Sequence, residues 1–217
     1  VSANANVTGQ SDVTTGAASI SQTLSNNTNT AQTLVYTVTP TSGAAGNCVG
    51  ASFTVTVTIN PTPALSSTLT PASICSAATF TYTPTSNTVP TTGSVSYAWS
   101  RAAVTGITEV ASNGTNGISE VLTNTTNAPI TVTYVYTITA NGCTATNNVS
   151  VVVNPTPALS STLTPTAICS GSTFAYTPTS ATQVSPTYAW TTTLPVGITA
   201  NNATSGTGGD RKSTRLN

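Results

Sequence analysis

Apolar and hydroxyl-bearing residues alternate along this chain with a period of two. In the run from Ile130 to Ile138, the residues Ile130, Val132, Tyr134, Tyr136 and Ile138 share one face, and Thr131, Thr133, Val135 and Thr137 share the other. Phe53, Val55, Val57 and Ile59 alternate with Thr54, Thr56 and Thr58 in the same way. This is the period of a half-buried β-strand, one face turned to a core and the other to water. Shorter runs predict further strands at Thr79 to Thr83, Val95 to Ser100, Ile118 to Thr123 and Asn148 to Asn154. Asn141-Gly142 lies between two runs and predicts a tight hairpin, because both residues tolerate positive φ. No segment carries a helical period. About six or seven short strands separated by turn signals predict an all-β fold built of immunoglobulin-like β-sandwich modules.

The pattern recurs. The phrase from Ile59 to Thr88, INPTPALSSTLTPASICSAATFTYTPTSNT, returns as VNPTPALSSTLTPTAICSGSTFAYTPTSAT from Val153 to Thr182. Repetition of this length predicts tandem copies of one small domain. Equivalent junctions fall at Asn60-Pro61 and Asn154-Pro155, so residues 61–154 form one complete module. Upstream, Ile20-Ser21-Gln22-Thr23-Leu24 aligns with Ile118-Ser119-Glu120-Val121-Leu122, and Tyr36-Thr37-Val38-Thr39 with Tyr136-Thr137-Ile138-Thr139. Residues 1–60 are thereby expected to be the C-terminal part of an earlier module. Its counterpart of the Asn141-Gly142 turn is longer, Pro40 to Asn47, so this turn tolerates insertion.

Downstream, Tyr188-Ala189-Trp190 aligns with Tyr97-Ala98-Trp99, and Val196-Gly197-Ile198-Thr199 with Thr105-Gly106-Ile107-Thr108. Residues 155–209 are thus expected to be the N-terminal part of a third module. The expectation is a fragment of a larger array, one whole module between two partial ones. Residues 210–217 break the pattern with Arg211, Lys212 and Arg215 and read as a foreign tail without function of its own.

Composition narrows the class. Charged residues make up 4% of the chain, His and Met are absent, and the formal net charge is +0. A disordered chain combines low hydrophobicity with high net charge, and this one has neither. There is no basic surface for nucleic acid and no run of about 18 apolar residues to span a membrane. Catalytic chemistry has little to work with. The carboxylates are Asp12, Glu109, Glu120 and Asp210, and only Glu109 and Glu120 share the complete module. An acid-base pair needs two carboxylates in one site, and solvated strand-edge charges are the simpler reading of these two. Without His, a triad lacks its usual base and zinc its commonest neutral ligand, and calcium lacks clustered acids. No catalytic residue, metal site or cofactor is expected.

Trp99 and Trp190, each two residues after a tyrosine (Tyr97 and Tyr188), offer either a stacking platform for sugars or a core position in the third strand. The immunoglobulin-like pattern favours the core for Tyr97, Trp99, Tyr188 and Trp190. The Asn-Pro-Thr-Pro junctions restrict the backbone on both sides of each boundary and favour an elongated rod. Lysine is missing from the modules, which excludes Lys-Asn isopeptide staples.

Several strings together resemble a known family. They are NPTPA, Ile74 to Ala77 (ICSA) with Ile168 to Gly171 (ICSG), Tyr-Ala-Trp, Leu122 to Asn127 (LTNTTN), and Asn-Gly-Cys-Thr ahead of Val-Ser-Val-Val-Val-Asn-Pro. This combination resembles the PKD-like, immunoglobulin-like repeats of large Bacteroidota surface and secreted proteins, over nearly all of Ile20 to Thr199. One departure is that Ser100-Arg101 follows Trp99, where polycystic-kidney-type domains usually carry an acidic Asp-Gly turn. The resemblance implies tandem β-sandwiches in adhesin-like proteins, exported by the type IX system and associated with gliding or attachment. It implies an extracellular or outer-membrane-associated place and, as partners, other surface proteins or extracellular polysaccharide. Two functions follow from it: a non-catalytic stalk or adhesive repeat, or a carbohydrate-binding accessory module beside a secreted enzyme.

The cysteines occupy two repeat positions, Cys75 and Cys169 early in the module and Cys48 and Cys143 late. Two per module suggest an oxidising compartment. Pairing Cys75 with Cys143 inside the complete module is the preferred connectivity, and would contribute about 4 kcal/mol on the chain-entropy model. Bridges between neighbouring modules, Cys48 to Cys75 and Cys143 to Cys169, also respect the repeat, as do unpaired thiols.

Overall fold

A computed structural model describes the chain except residues 2, 14–15, 44–45, 183–184, 194–195, 198–204 and 208–217, and for 205–207 the backbone alone. The expected tail 210–217 and the aligned Ile198 and Thr199 lie outside the described residues. Among the described residues the regular structure is all β. The strands are β1 (Val7–Thr8), β2 (Ser25–Asn26), β3 (Gln32–Val38), β4 (Phe53–Ile59), β5 (Ile74–Cys75), β6 (Ala78–Tyr82) and β7 (Ser96–Arg101). They continue with β8 (Ser112–Thr115), β9 (Ile118–Leu122), β10 (Ile130–Ala140), β11 (Cys143–Asn154), β12 (Ala189–Thr191) and β13 (Ser205–Thr207).

Strands β5 to β11 make one sandwich. A five-stranded sheet in the order β5-β11-β10-β7-β8 faces the two-stranded sheet β6-β9. The alternation read from the sequence places the core. On β10, Val132, Tyr134, Tyr136 and Ile138 point inward, and on β11 Val149, Val151 and Val153 do, all fully buried. Phe80 and Tyr82 of β6 and Ile118 and Leu122 of β9 close the core from the other sheet. The rings interlock across the two layers: Phe80 lies 5.4 Å from Tyr134 and Tyr82 lies 5.6 Å from Tyr136. Such tilted pairs add about 0.5–1.5 kcal/mol each beyond area burial.

Between β10 and β11 the two-residue turn forms at Asn141 (φ 50) and Gly142 (φ 76), with Ala140 and Cys143 paired across it. Positive φ at both central positions is the geometry whose twist matches paired strands. Strand β11 then runs twelve residues to Asn154. Beside it, in the same direction, runs the segment from Pro61 to Cys75. It is tied by Leu65 N to Asn147 Oδ1 (2.9 Å), by Ser150 N to Leu69 O (2.9 Å), and by the parallel partners Ile74 and Val153.

The flanking segments reproduce parts of this module. Asn124 donates from Nδ2 to Ala128 O and Val153 O, while its Oδ1 accepts from Thr126 N and Oγ1. Asn26 makes the same set, to Thr30 O, Ile59 O and Thr28. The pairings Gln32 with Ile59 and Ile130 with Val153 fix the correspondence of the two hairpins. Tyr36 therefore occupies the place of Tyr134, and not that of Tyr136 as the sequence alignment had it. A slip of two residues keeps every side chain on its own face, so alternation alone does not detect it. The repeated thirty-residue phrase is likewise a repeated hydrogen-bond set. Tyr82 Oη meets Ser67 Oγ at 2.6 Å and Tyr176 Oη meets Ser161 Oγ at 2.7 Å, and Ser66 N and Ser160 N each donate to a threonine carbonyl at 2.8 Å.

Candidate functional site

Charge is so scarce that Arg101, the one Lys or Arg side chain among the described residues, identifies the most polar place in the module. Tyr97, Trp99 and Arg101 alternate along β7 and point to the same inward side, which carries the guanidinium into the protein. The Arg101 side chain is 1% exposed, and its Nε donates to Glu120 Oε2 at 3.0 Å. Its Nη2 donates to Val110 O at 2.6 Å, and its Nη1 to Ala102 O and Glu109 O. Tyr134 Oη donates to the same Glu120 oxygen at 2.7 Å. Burial works against the charge on Glu120. Hydrogen bonds from Ser112, Tyr134 and Arg101, with the guanidinium charge, outweigh it and hold the carboxyl below its ordinary range. Burial, with the Glu120 carboxylate beside it, pushes the Tyr134 phenol up.

Glu109 takes a different place. Its Oε2 accepts from Thr123 N at 2.8 Å, and this bond with the others at the site lowers its pKa in spite of burial. The two carboxylates are thus tied to backbone, phenol and guanidinium. A carboxylate held ionised and already engaged is a structural anion, not a proton donor or acceptor for a substrate. Among the described residues no group of three His, Cys, Asp or Glu side chains gathers as a metal site.

Trp99 lies in the core, edge-on to Tyr134 at 5.5 Å. Opposite it on β8, a Cβ at Gly114 would come within 2.8 Å of the indole ring, so the ring is covered by bare backbone. Tyr97 is half-buried against the same core, and burial raises its pKa. Trp190 and Tyr188 stand in the third segment, where β12 pairs with β13 as β7 pairs with β8: Trp190 lies opposite Gly206 as Trp99 lies opposite Gly114. Trp190 is exposed there and Tyr188 half-buried. The core expectation thus has Trp99 as a packed member, Tyr97 as a partial one, and Trp190 as an open counterpart.

The joint between segments is also packed. Pro61 and Pro63 are fully buried. Asn60 Nδ2 donates to Asn141 O at 3.1 Å, and Val89 N donates to Asn29 O at 2.8 Å, both across the boundary. Thr88 and its counterpart Thr182 are both buried.

The family model described as PKD-like domain matches residues 1–63 and again 72–157, more than half of the chain. The chain belongs to the PKD-like domain family. No curated protein matches it. PKD-like domains are, as a class, extracellular repeat modules without catalytic machinery, and the all-β sandwich here has that architecture. No helix among the described residues is long and apolar enough to cross a membrane.

One expectation for the PKD-like module is corrected. Cys75 pairs with Asn154 at the end of β11, whereas Cys143 begins the same strand. Eleven residue steps at about 3.3 Å separate the two ends by roughly 36 Å, far beyond the Cα separation of about 7 Å that a disulfide can bridge. Cys48, Cys75, Cys143 and Cys169 are free thiols. The repeat spacing was compatible with pairing, but it carried no information on which end of the sandwich each position occupies.

Sequence reasoning missed the Asn26 and Asn124 clamps and the burial of Arg101. The signal for Arg101 was its phase, in step with Tyr97 and Trp99. The signal for Asn124 was its recurrence as Asn26-x-Thr28 and Asn124-x-Thr126 just ahead of each long strand.

Proposed function

We propose that this chain is a stalk and spacer segment of a large bacterial cell-surface or secreted protein, of the kind Bacteroidota use in attachment or gliding. Residues 61–154 are its complete module, 1–60 the C-terminal part of the module before, and 155–209 the N-terminal part of the one after. One observation carries the reading. The chain enters the module beside Asn141 and leaves it at Asn154, at opposite ends of β11, through a joint whose prolines are buried and hydrogen-bonded around. A module of this kind advances the chain by roughly 36 Å, the length of its longest strand. Buried junction prolines resist bending, which a spacer needs and a flexible tether does not.

Small-angle X-ray scattering in dilute solution tests the proposal. The chain is expected to give an elongated distance distribution. Replacing Pro61 and Pro63 with glycine should broaden it and shorten its average extent. A compact distribution, or one unchanged by the glycines, refutes the spacer reading.

A further inference from the structure

Asparagine followed by glycine occurs at Asn113, Asn116 and Asn141, all within the sandwich of β5 to β11. In that dipeptide the side-chain amide can be attacked by the next backbone nitrogen, which a glycine leaves sterically open. The fold holds two of the pairs shut. Asn141 lies in the hairpin turn between β10 and β11, where its Oδ1 accepts from Thr91 N at 2.9 Å and from Thr91 Oγ1 at 3.0 Å. Its Nδ2 is buried, and its carbonyl accepts from Asn60 Nδ2. Asn113 lies inside β8, paired with Ser100, and Gly114 is paired with Trp99. Bringing the amide onto the next nitrogen at either place means turning backbone that is locked in a ladder or a tight turn.

Asn116 is placed otherwise. It stands between β8 and β9, where the chain crosses from the five-stranded sheet to the two-stranded one. Its φ is 59, and the positive φ does not continue to Gly117, so the pair is not the two-residue turn formed at Asn141 and Gly142. The residue is exposed. Among the described residues its side chain has no hydrogen-bond partner, and only its backbone is tied, N to Tyr97 O and O to Tyr136 Oη, both at 3.0 Å. Among the described residues none of the turn and loop hydrogen bonds engages Gly117 N. Asn116 thus combines a free, solvated amide, an open neighbouring nitrogen and a left-handed backbone that an L-residue holds at a cost.

We propose that Asn116 is a site of spontaneous deamidation in the folded protein, with water as the reagent. Gly117 N gives its proton to solvent and attacks Asn116 Cγ; the bond from Cγ to Nδ2 breaks, and that nitrogen leaves as ammonia. Water then opens the resulting succinimide. Breaking the new bond between Cγ and Gly117 N restores the main chain and leaves aspartate. Breaking the original peptide bond leaves isoaspartate, with Cβ inserted in the main chain. The sum is amide plus water to carboxylate plus ammonium, with no change of oxidation state. Isoaspartate is the product that disturbs the fold. The carbonyl that holds Tyr136 becomes a carboxylate off the main chain, and the connection into β9 lengthens just ahead of Ile118, which is 3% exposed opposite Tyr82. Asn116 is bonded to Tyr97, and Tyr97 pairs with Ile138 near the end of β10, so this turn lies at the same end of the sandwich as Asn141. Ageing therefore loosens the core at the end that meets the preceding segment. The inference goes beyond the spacer reading and does not depend on it.

Ageing of the full chain at mildly alkaline pH, folded and in urea, tests it. Asn113, Asn116 and Asn141 are followed by peptide mapping, with fragmentation that separates aspartate from isoaspartate. In the folded chain Asn116 should convert about tenfold faster than Asn113 and Asn141, whose reaction waits on local opening. In urea the three should convert at similar rates, because the dipeptide is the same and the fold is gone. Near-UV circular dichroism of the folded chain should fall in step with isoaspartate at residue 116. Asn116→Gly accepts the positive φ and removes the amide, and should keep its spectrum through the same ageing. Asn116→Asp should keep its spectrum from the start, since a charge without the inserted Cβ leaves the core alone. An Asn116 that stays intact in the folded chain, conversion there no faster than at Asn113 or Asn141, an equal spectral loss in Asn116→Gly, or a spectrum already lost in Asn116→Asp would each overturn the proposal.

Discussion

Replacing Glu120 with glutamine keeps the shape of the side chain and its acceptor for Tyr134, and removes one charge. The first segment shows that the neutral arrangement is sound where no cation is present: Tyr36 Oη donates to Gln22 Oε1 at 2.7 Å, at the place where Tyr134 meets Glu120. In the second segment, however, the Arg101 side chain is 1% exposed, and among the described residues Glu120 is the carboxylate in direct ion-pair contact with it. The substitution leaves the buried guanidinium without its ion-pair partner, held by three carbonyls and by the charge of the neighbouring Glu109. Breaking a buried pair from one side costs about 3–5 kcal/mol, and the partial exposure of Glu120 (16%) argues for the lower end, about 3 kcal/mol.

Against a domain stability of about 5–15 kcal/mol, this is a large fraction. With an m-value near 1 kcal/mol per molar urea, the unfolding midpoint should fall by about 3 M. Arg101→Met removes the cation, and the double variant should recover to within about 1 kcal/mol of the parent, because the desolvation of both charges is then avoided. Urea unfolding followed by near-UV circular dichroism measures all four corners of the cycle. A loss under about 1 kcal/mol for Glu120→Gln, or a double variant as unstable as the two single losses added, would refute the account of Arg101 as a paired buried charge.

Acid should act through the same groups. Glu109 and Glu120 have folded pKa values below their ordinary ones. Their contribution is therefore present above the unfolded value of about 4.3 and is lost as pH falls through the folded values. Glu120→Gln should flatten the acid limb of a stability-against-pH curve; an unchanged limb would exclude Glu120 as its source. Asn124→Ala removes the clamp between the Thr126 turn and Val153 O, leaves buried backbone groups unpartnered, and should cost about 2–4 kcal/mol by urea unfolding. Gly114→Ala forces a methyl against the Trp99 ring and should cost about 1–3 kcal/mol while shifting the Trp99 emission. Under oxidising conditions a thiol reagent should titrate Cys75 and Cys143 in the folded chain, and a peptide map showing the two joined would contradict the strand order.

What was legible in the sequence follows from what each signal encodes. Period-two alternation reports which side of a strand is apolar, and it located the faces of β10, whereas on β4 Phe53 and Val55 stay exposed and only Val57 and Ile59 are partly covered. The Asn-Gly pair reports a backbone conformation, and the hairpin formed there. Register and strand order depend on partners distant in the chain, and local patterning is blind to them. Hence the two-residue misplacement of Tyr36 and the pairing expected between Cys75 and Cys143, which β11 keeps at opposite ends. The burial of Arg101 was hidden for a different reason: a charged residue is ordinarily read as surface, and only its acceptors Glu120, Ala102, Glu109 and Val110, gathered from three stretches of chain, make the interior tolerable.

The parallel course of the Pro61 to Cys75 segment beside β11 has a mechanical meaning. Tension on an array enters this module at Pro61 and leaves at Asn154, so the two loaded segments are neighbours pulled in opposite directions along their common axis. Their ties at Leu65, Leu69 and Ile74 then resist together, in shear, and none can be peeled before the others. A module wired in this way yields abruptly at high load instead of unzipping gradually under a small one.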